Sequence, residues 1–150
     1  MTDSDSDAIP TVRREQRDAI REEVVWMLNS ACDDFGMCLV RKEDFDEAQC
    51  FRRDIEDWSA LMDDLGWAVD DPRDSFEITL PWERLRRVLA RLRDWTGTTL
   101  LAHGLGRLKG LDEEGHHERA LLIGEACADI HMALPVEFVR TSHDCARSCR

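Results

Sequence analysis

The sequence predicts a mainly α protein, either a four-helix antiparallel bundle or an irregular helical array, with room for a small β-hairpin near residues 67–80. Three observations predict it. Apolar residues recur at spacings of three and four in four separate segments, as one buried helix face requires. The links between those segments are mostly short, which favours antiparallel neighbours. One stretch, 67–80, changes to a period of two, the repeat of a half-buried strand.

Each element has its own local reasons. Residues 1–10 read as a disordered acidic tail ahead of a single helical domain, 11–140. Thr11 stands where a cap would open a first helix. Its buried face is Ala19, Ile20, Val24, Met27, Leu28 and Ala31, and Asp33, Asp34 and Gly36 read as its end, near Cys32. Val25 and Trp26 lie off that stripe, so the helix is expected to be covered on two sides. Asp44 and Glu47 form a variant capping box for a second helix. Its stripe is Ala48, Phe51, Ile55, Trp58, Met62 and Leu65, and Gly66 supplies the left-handed position that favours a helix end.

In the next stretch Phe76, Ile78 and Leu80 alternate with polar residues. Trp67 and Val69 alternate as well, and the intervening DDPRDS reads as a turn, so the two runs are the expected hairpin partners. Pro81 suits the first position of a third helix, buried along Leu85, Val88, Leu89, Leu92 and Trp95 and ending near His103. After the Gly-punctuated run 104–111, Asp112 is placed to cap a fourth helix. Glu113 and Glu114 stand at its positive end, and Ala120, Leu121, Gly124, Cys127, Ile130 and Leu134 form its apolar face. Pro135 stops it. Residues 136–139 read as a short strand or an extended strap, and 141–150 as a tail carrying Cys and His.

Composition narrows the function. The chain has 150 residues and a formal charge of −12, with 32 acidic residues against 20 basic ones. That balance argues against general nucleic-acid binding and against adhesion to an anionic membrane, both of which need a basic surface. No apolar run approaches the length of a membrane span. The start lacks the basic-then-apolar order of a signal peptide, so a reducing cytoplasm is the expected compartment. Of the 20 basic residues 18 are Arg, and Tyr is absent. This bias suits a GC-rich, bacterial genome and is not by itself a sign of phosphate binding.

Four places carry candidate chemistry. The first is the C-terminal HDCARSC, in which Cys145 and Cys149 are one helical turn apart beside His143. Thiolate and imidazole are ligands for zinc or partners in redox chemistry. Cys127 and His131, also four apart, complete a site only if the tail folds back. A structural zinc site needs four ligands and this motif offers two or three, so no cofactor is expected, with zinc as the alternative. Cys32, Cys38, Cys50 and Cys127 lie in apolar patterns and read as small core hydrophobes.

The second is histidine. Glu-x-x-His occurs as two overlapping copies, Glu113–His116 and Glu114–His117, at one helix start. A di-metal bundle needs such motifs on two helices. The third is an Arg-rich helix, in which Arg84, Arg87 and Arg91 share a face suited to an anion or an acidic partner. Its plainer reading is balance against Asp54, Glu56, Asp57, Asp63 and Asp64 on the preceding helix. Trp82 and Trp95 fall on the apolar stripe and are not expected to stack bases. The fourth, GLGRLKG, matches neither a dinucleotide loop nor a P-loop.

No nucleophile signature such as GxSxG is present, and catalytic residues stay unknown. The expected function is that of a small acidic helical protein acting through protein–protein contact, regulatory or accessory rather than enzymatic. Val25, Trp26, Leu101 and Leu122 are candidates for a partner or homo-oligomer surface. A metal or thiol-redox protein is the alternative. An enzyme with a dispersed site is the second.

Overall fold

A computed structural model describes residues 9–41, 45–107 and 113–134. Its elements are β1 (Thr11–Arg13), α1 (Arg14–Arg41), α2 (Phe45–Leu65), β2 (Ser75–Glu77), α3 (Trp82–Gly104) and α4 (Glu113–Met132). The fold is mainly helical, with one small antiparallel sheet, as the periodicity predicts. Among the described residues no helix is long and apolar enough to cross a membrane.

The helices form two antiparallel hairpins, α1 with α2 and α3 with α4, and these hold the most extensive contacts. Packing of α1 on α4, and of α2 on α3, joins one hairpin to the other. The core lies where they meet. Ala19, Ile20 and Val24 of α1 face Trp58, Leu61, Met62 and Leu65 of α2; Leu85, Val88, Leu89 and Leu92 come from α3, and Ile123, Ala126, Cys127 and Ile130 from α4. The predicted stripes supply all four of these residues from α3 and all but Leu61 of those from α2. On α4 the face is turned slightly, since Leu121 is exposed and Ile123 is buried. Gly124 lets α4 approach α3 closely, because a Cβ there would stand 3.2 Å from the Thr96 methyl.

Two expectations change. The first helix does not end near Cys32 but runs to Arg41. Asp and Gly disfavour helix interiors only mildly, by about 1 kcal/mol at most. Packing along α2 outweighs that, and Gly36 sits with no neighbouring atom within 4 Å of a would-be Cβ. Thr11 is not a cap but a strand residue. It pairs with Glu77, Val12 with Phe76 and Arg13 with Ser75, and the ladder extends to the Ile78 N–H, which donates to Pro10 O at 2.9 Å.

The strand near Phe76 is therefore present, but its partner is the N-terminal segment and not residues 67–69. Trp67 and Val69 are exposed in the connecting turn. Val12 and Phe76 point into the core while their neighbours face out. A pairing so distant in sequence leaves no local period in a three-residue strand.

Smaller details also differ. Pro81 is the residue before α3 and not its first, and its carbonyl accepts from the Leu85 N–H at 2.9 Å. Trp82 is half exposed and not on the buried stripe. The caps expected at Asp44 and Asp112, and everything predicted from Pro135 onward, lie outside the described residues.

One buried cation ties the hairpin base together. Arg17 is fully buried, and its guanidinium fork donates to carbonyls at and just past the end of α2: Nε to Leu65 O at 2.9 Å, Nη2 to Gly66 O at 2.8 Å and also to Ala68 O. Asp18 accepts from Nη1 at 2.8 Å, and the guanidinium carbon lies 5.1 Å from the centroid of the Phe76 ring. The orphan carbonyls of a helix C-terminus and the positive charge satisfy each other. Gly66, at φ +84°, makes the turn that presents them.

Candidate functional site

Arg84, Arg87 and Arg91 of α3 are spent on the chain's own acids. Asp57 of α2 is fully buried, and its carboxylate accepts from Arg84 Nε at 3.1 Å, Arg87 Nε at 2.8 Å and Arg87 Nη2 at 3.0 Å. Arg91 reaches Asp57 at 3.8 Å and pairs with Asp54. The predicted face of Arg84, Arg87 and Arg91 is thus real, and in this fold the anion it holds is Asp57. The contact of Arg91 Nη2 with Asp54 Oδ1 is close but lacks hydrogen-bond alignment. Partial burial raises the Asp54 carboxyl above the usual carboxylate range, and the Arg91 charge only partly offsets that.

The described cysteines and histidines do not converge on a metal. Among the described residues no group of three or more His, Cys, Asp or Glu could hold one. Cys127 is buried, and loss of solvent pushes its thiol up to about 12, so it is a packing residue. His131 sits against the Arg93 guanidinium, with ring nitrogens 3.1 and 3.3 Å away. A guanidinium at that distance is a poor neighbour for a metal ligand. Cys145, Cys149 and His143 lie outside the described residues. The core expectation holds for Cys127 alone of its four cysteines, since Cys32 is exposed and Cys38 and Cys50 are half-buried. Glu113 and His116 do not act together. Glu113 faces His103 at 3.6 Å, His103 stacks on His117 with centroids 4.0 Å apart, and His116 turns towards Glu23.

What the structure does assemble is a cleft around Trp26. This indole is 65% exposed and lines two cavities, on either side of α1. The larger, about 420 Å³, lies between α1, α3 and α4 and is walled by Glu22, Glu23, Trp95, Thr99, His116 and Arg119. The smaller, about 260 Å³, lies between α1, α2 and α3, and its walls include Met27, Phe51 and Trp58 with Asp34, Asp54 and Asp94.

A buried ion pair fixes the wall of the larger cavity. Glu23 Oε1 accepts from Arg119 Nε at 2.6 Å and lies 3.4 Å from His116 Nδ1. With Glu23 at 4% exposure, this pair holds α1 against α4 beside the indole. The sequence points to Trp26 as an off-stripe aromatic. It gives no sign of Glu23, Arg119 or Thr99, because those residues are separated by up to 96 positions and meet only through helix packing.

The class defined by fold and site is a small helical array with an aromatic, acid-rimmed cleft among the described residues. No protein-family model, curated protein or solved structure matches the chain.

Proposed function

We propose that this is a small cytoplasmic interaction protein, accessory or regulatory rather than catalytic, that receives a segment of a partner protein in the Trp26 cleft. One observation carries the reading: a tryptophan left 65% exposed on a long helix, with a cavity on each side of it. Large aromatics in concave, partly apolar surroundings are the residues on which protein interfaces depend most. Trp95 and Thr99 beneath the larger cavity add an apolar floor with one hydroxyl, while the Glu23–Arg119 pair keeps its shape. All four helices wall the cleft, and a partner is expected to dock on it with little backbone movement.

Selection of a displayed random-peptide library on the wild-type chain, counter-selected on Trp26→Ala, tests it. Peptides should enrich that bind wild type and weaken about tenfold or more on the variant, the usual loss at an aromatic interface anchor. Enrichment of none, or of peptides that bind both chains equally, would overturn the reading. So would self-association of the wild-type chain through the same indole, measured by sedimentation, since the occupant would then be a second copy.

A further inference from the structure

We infer that the occupant of the Trp26 cleft is a cationic segment, one that lays an arginine or lysine head group on the exposed indole. The inference rests on the docking reading and names its partner. Three features of the cleft combine. The indole face is open, and an aromatic π-face attracts a cation held within about 6 Å of the ring centre. Around it the two cavities carry five carboxylates, on Glu22, Glu23, Asp34, Asp54 and Asp94, against the two guanidiniums of Arg91 and Arg119. Those guanidiniums are already committed, Arg91 to Asp54 and Arg119 to Glu23, so they pin the walls, and the exposed Glu22 and Asp34 keep the rim negative.

The apolar lining then supplies what a bare acidic patch lacks. Met27 and Trp58 on one side and Trp95 on the other give the aliphatic stem of Arg or Lys a dry track, while the charged head stays at the acidic rim. Partial desolvation also strengthens each charge contact relative to open water. An acidic or neutral apolar segment would satisfy only part of this lining. A chain at −12 attracts a basic segment from a distance as well, which speeds encounter.

The test uses three nine-residue peptides of one design, with three arginines, three citrullines or three leucines spaced by glycine and serine. Citrulline keeps the shape of arginine and removes its charge. Binding is followed at physiological salt by the NMR shift of the Trp26 indole N–H, assigned with Trp26→Phe. The arginine peptide should move that resonance and bind about tenfold tighter than the citrulline peptide, within the range of a partly desolvated cation–π contact. Trp26→Ala should lose a similar factor and Glu22→Gln with Asp34→Asn a smaller one, whereas Trp67→Ala, which removes an exposed indole elsewhere, should lose nothing. Equal binding of arginine and citrulline peptides, or unchanged binding in Trp26→Ala, would overturn the inference. Preference for the leucine peptide at the same resonance would also overturn it and would leave the docking reading standing. Absence of any shift, together with an empty peptide selection, would remove both.

Discussion

The two halves of α1 have little in common beyond their backbone. Before Trp26, both faces of the helix are in use. Ala19, Ile20 and Val24 enter the core, while the buried polar groups Gln16 and Glu23 reach α4 and Arg17 reaches the end of α2. From Trp26 onward the same helix shows Trp26, Met37, Leu39 and Val40 to solvent. The difference is not one of composition, since both halves mix acids with apolar residues. It lies in what stands opposite. The first half is enclosed by α2, α4 and the sheet, whereas the second half keeps α2 beside it and leaves its last residues largely exposed. Burial is therefore set by tertiary context, and unspent apolar surface collects where that context stops.

The sharpest break of this contrast is Arg17→Ala. It empties a fully buried site and strips the carbonyls of Leu65, Gly66 and Ala68 of their donor. Removing one side of a buried charged network costs about 3–5 kcal/mol. Urea unfolding should show a loss of that order, and Arg17→Lys should recover little, because an ammonium lacks the planar fork. A loss under about 1 kcal/mol, the size of an ordinary surface-to-moderate effect, would mean the base is held by apolar packing alone.

Gly66→Ala comes next. A left-handed φ costs a non-glycine residue about 1–2 kcal/mol. Here the new methyl would also collide with the Asp71 carboxylate and the Arg73 guanidinium. That pair is itself well fixed, since hydrogen bonds from Arg73 hold the Asp71 carboxyl well below the usual carboxylate range. The expected loss is the backbone strain plus whatever displacing Asp71 adds. Gly36→Ala, in open space on the outer half of α1, should instead stabilise by about 1 kcal/mol at most through helix propensity.

How much of this was legible beforehand follows the same division. Helices with one continuous stripe, α2 and α3, can be read from spacing, because a face that packs on one neighbour leaves a 3.6-residue signal. The first half of α1 packs on two sides, and the signal blurs; its end is hidden because Asp33, Asp34 and Gly36 look like a stop that the helix passes through. The sheet was half legible: Phe76 and Ile78 alternate visibly, while Val12 has too short a strand around it to show a period. At the cleft, Trp26 stood out as an aromatic off the stripe. The carboxylate–guanidinium pairs did not, since nothing local distinguishes Asp57 from its exposed neighbour Glu56, or Glu23 from Glu22. Only the approach of another helix makes that choice.

A smaller effect separates the cleft from the base by pH. Burial raises the Asp54 carboxyl, so the folded chain holds that proton more tightly than the unfolded chain does. The stabilisation from protonating Asp54 is full below the unfolded value, near 3.8, and is lost as pH rises through the raised folded value. Asp54→Asn should flatten stability across that acidic window relative to wild type. An identical pH profile for the two chains, measured by thermal unfolding, would show that solvent reaches Asp54 more freely than its place beside the smaller cavity implies.

The least effect on stability is expected where the effect on binding is greatest. Trp26 stands 65% exposed, so Trp26→Ala removes little buried area. Exposed substitutions away from caps and buried networks stay within about 0.5 kcal/mol. Unfolding of the variant should overlay that of wild type while its peptide binding falls. The comparison also has a built-in control in Trp58→Ala, at 3% exposure, which should cost about 3–5 kcal/mol as a large aromatic deletion from a core. If Trp26→Ala destabilised the chain as Trp58→Ala does, the indole would be a core residue of the second half of α1, and the two halves would not differ in the way the exposure of Trp26 requires.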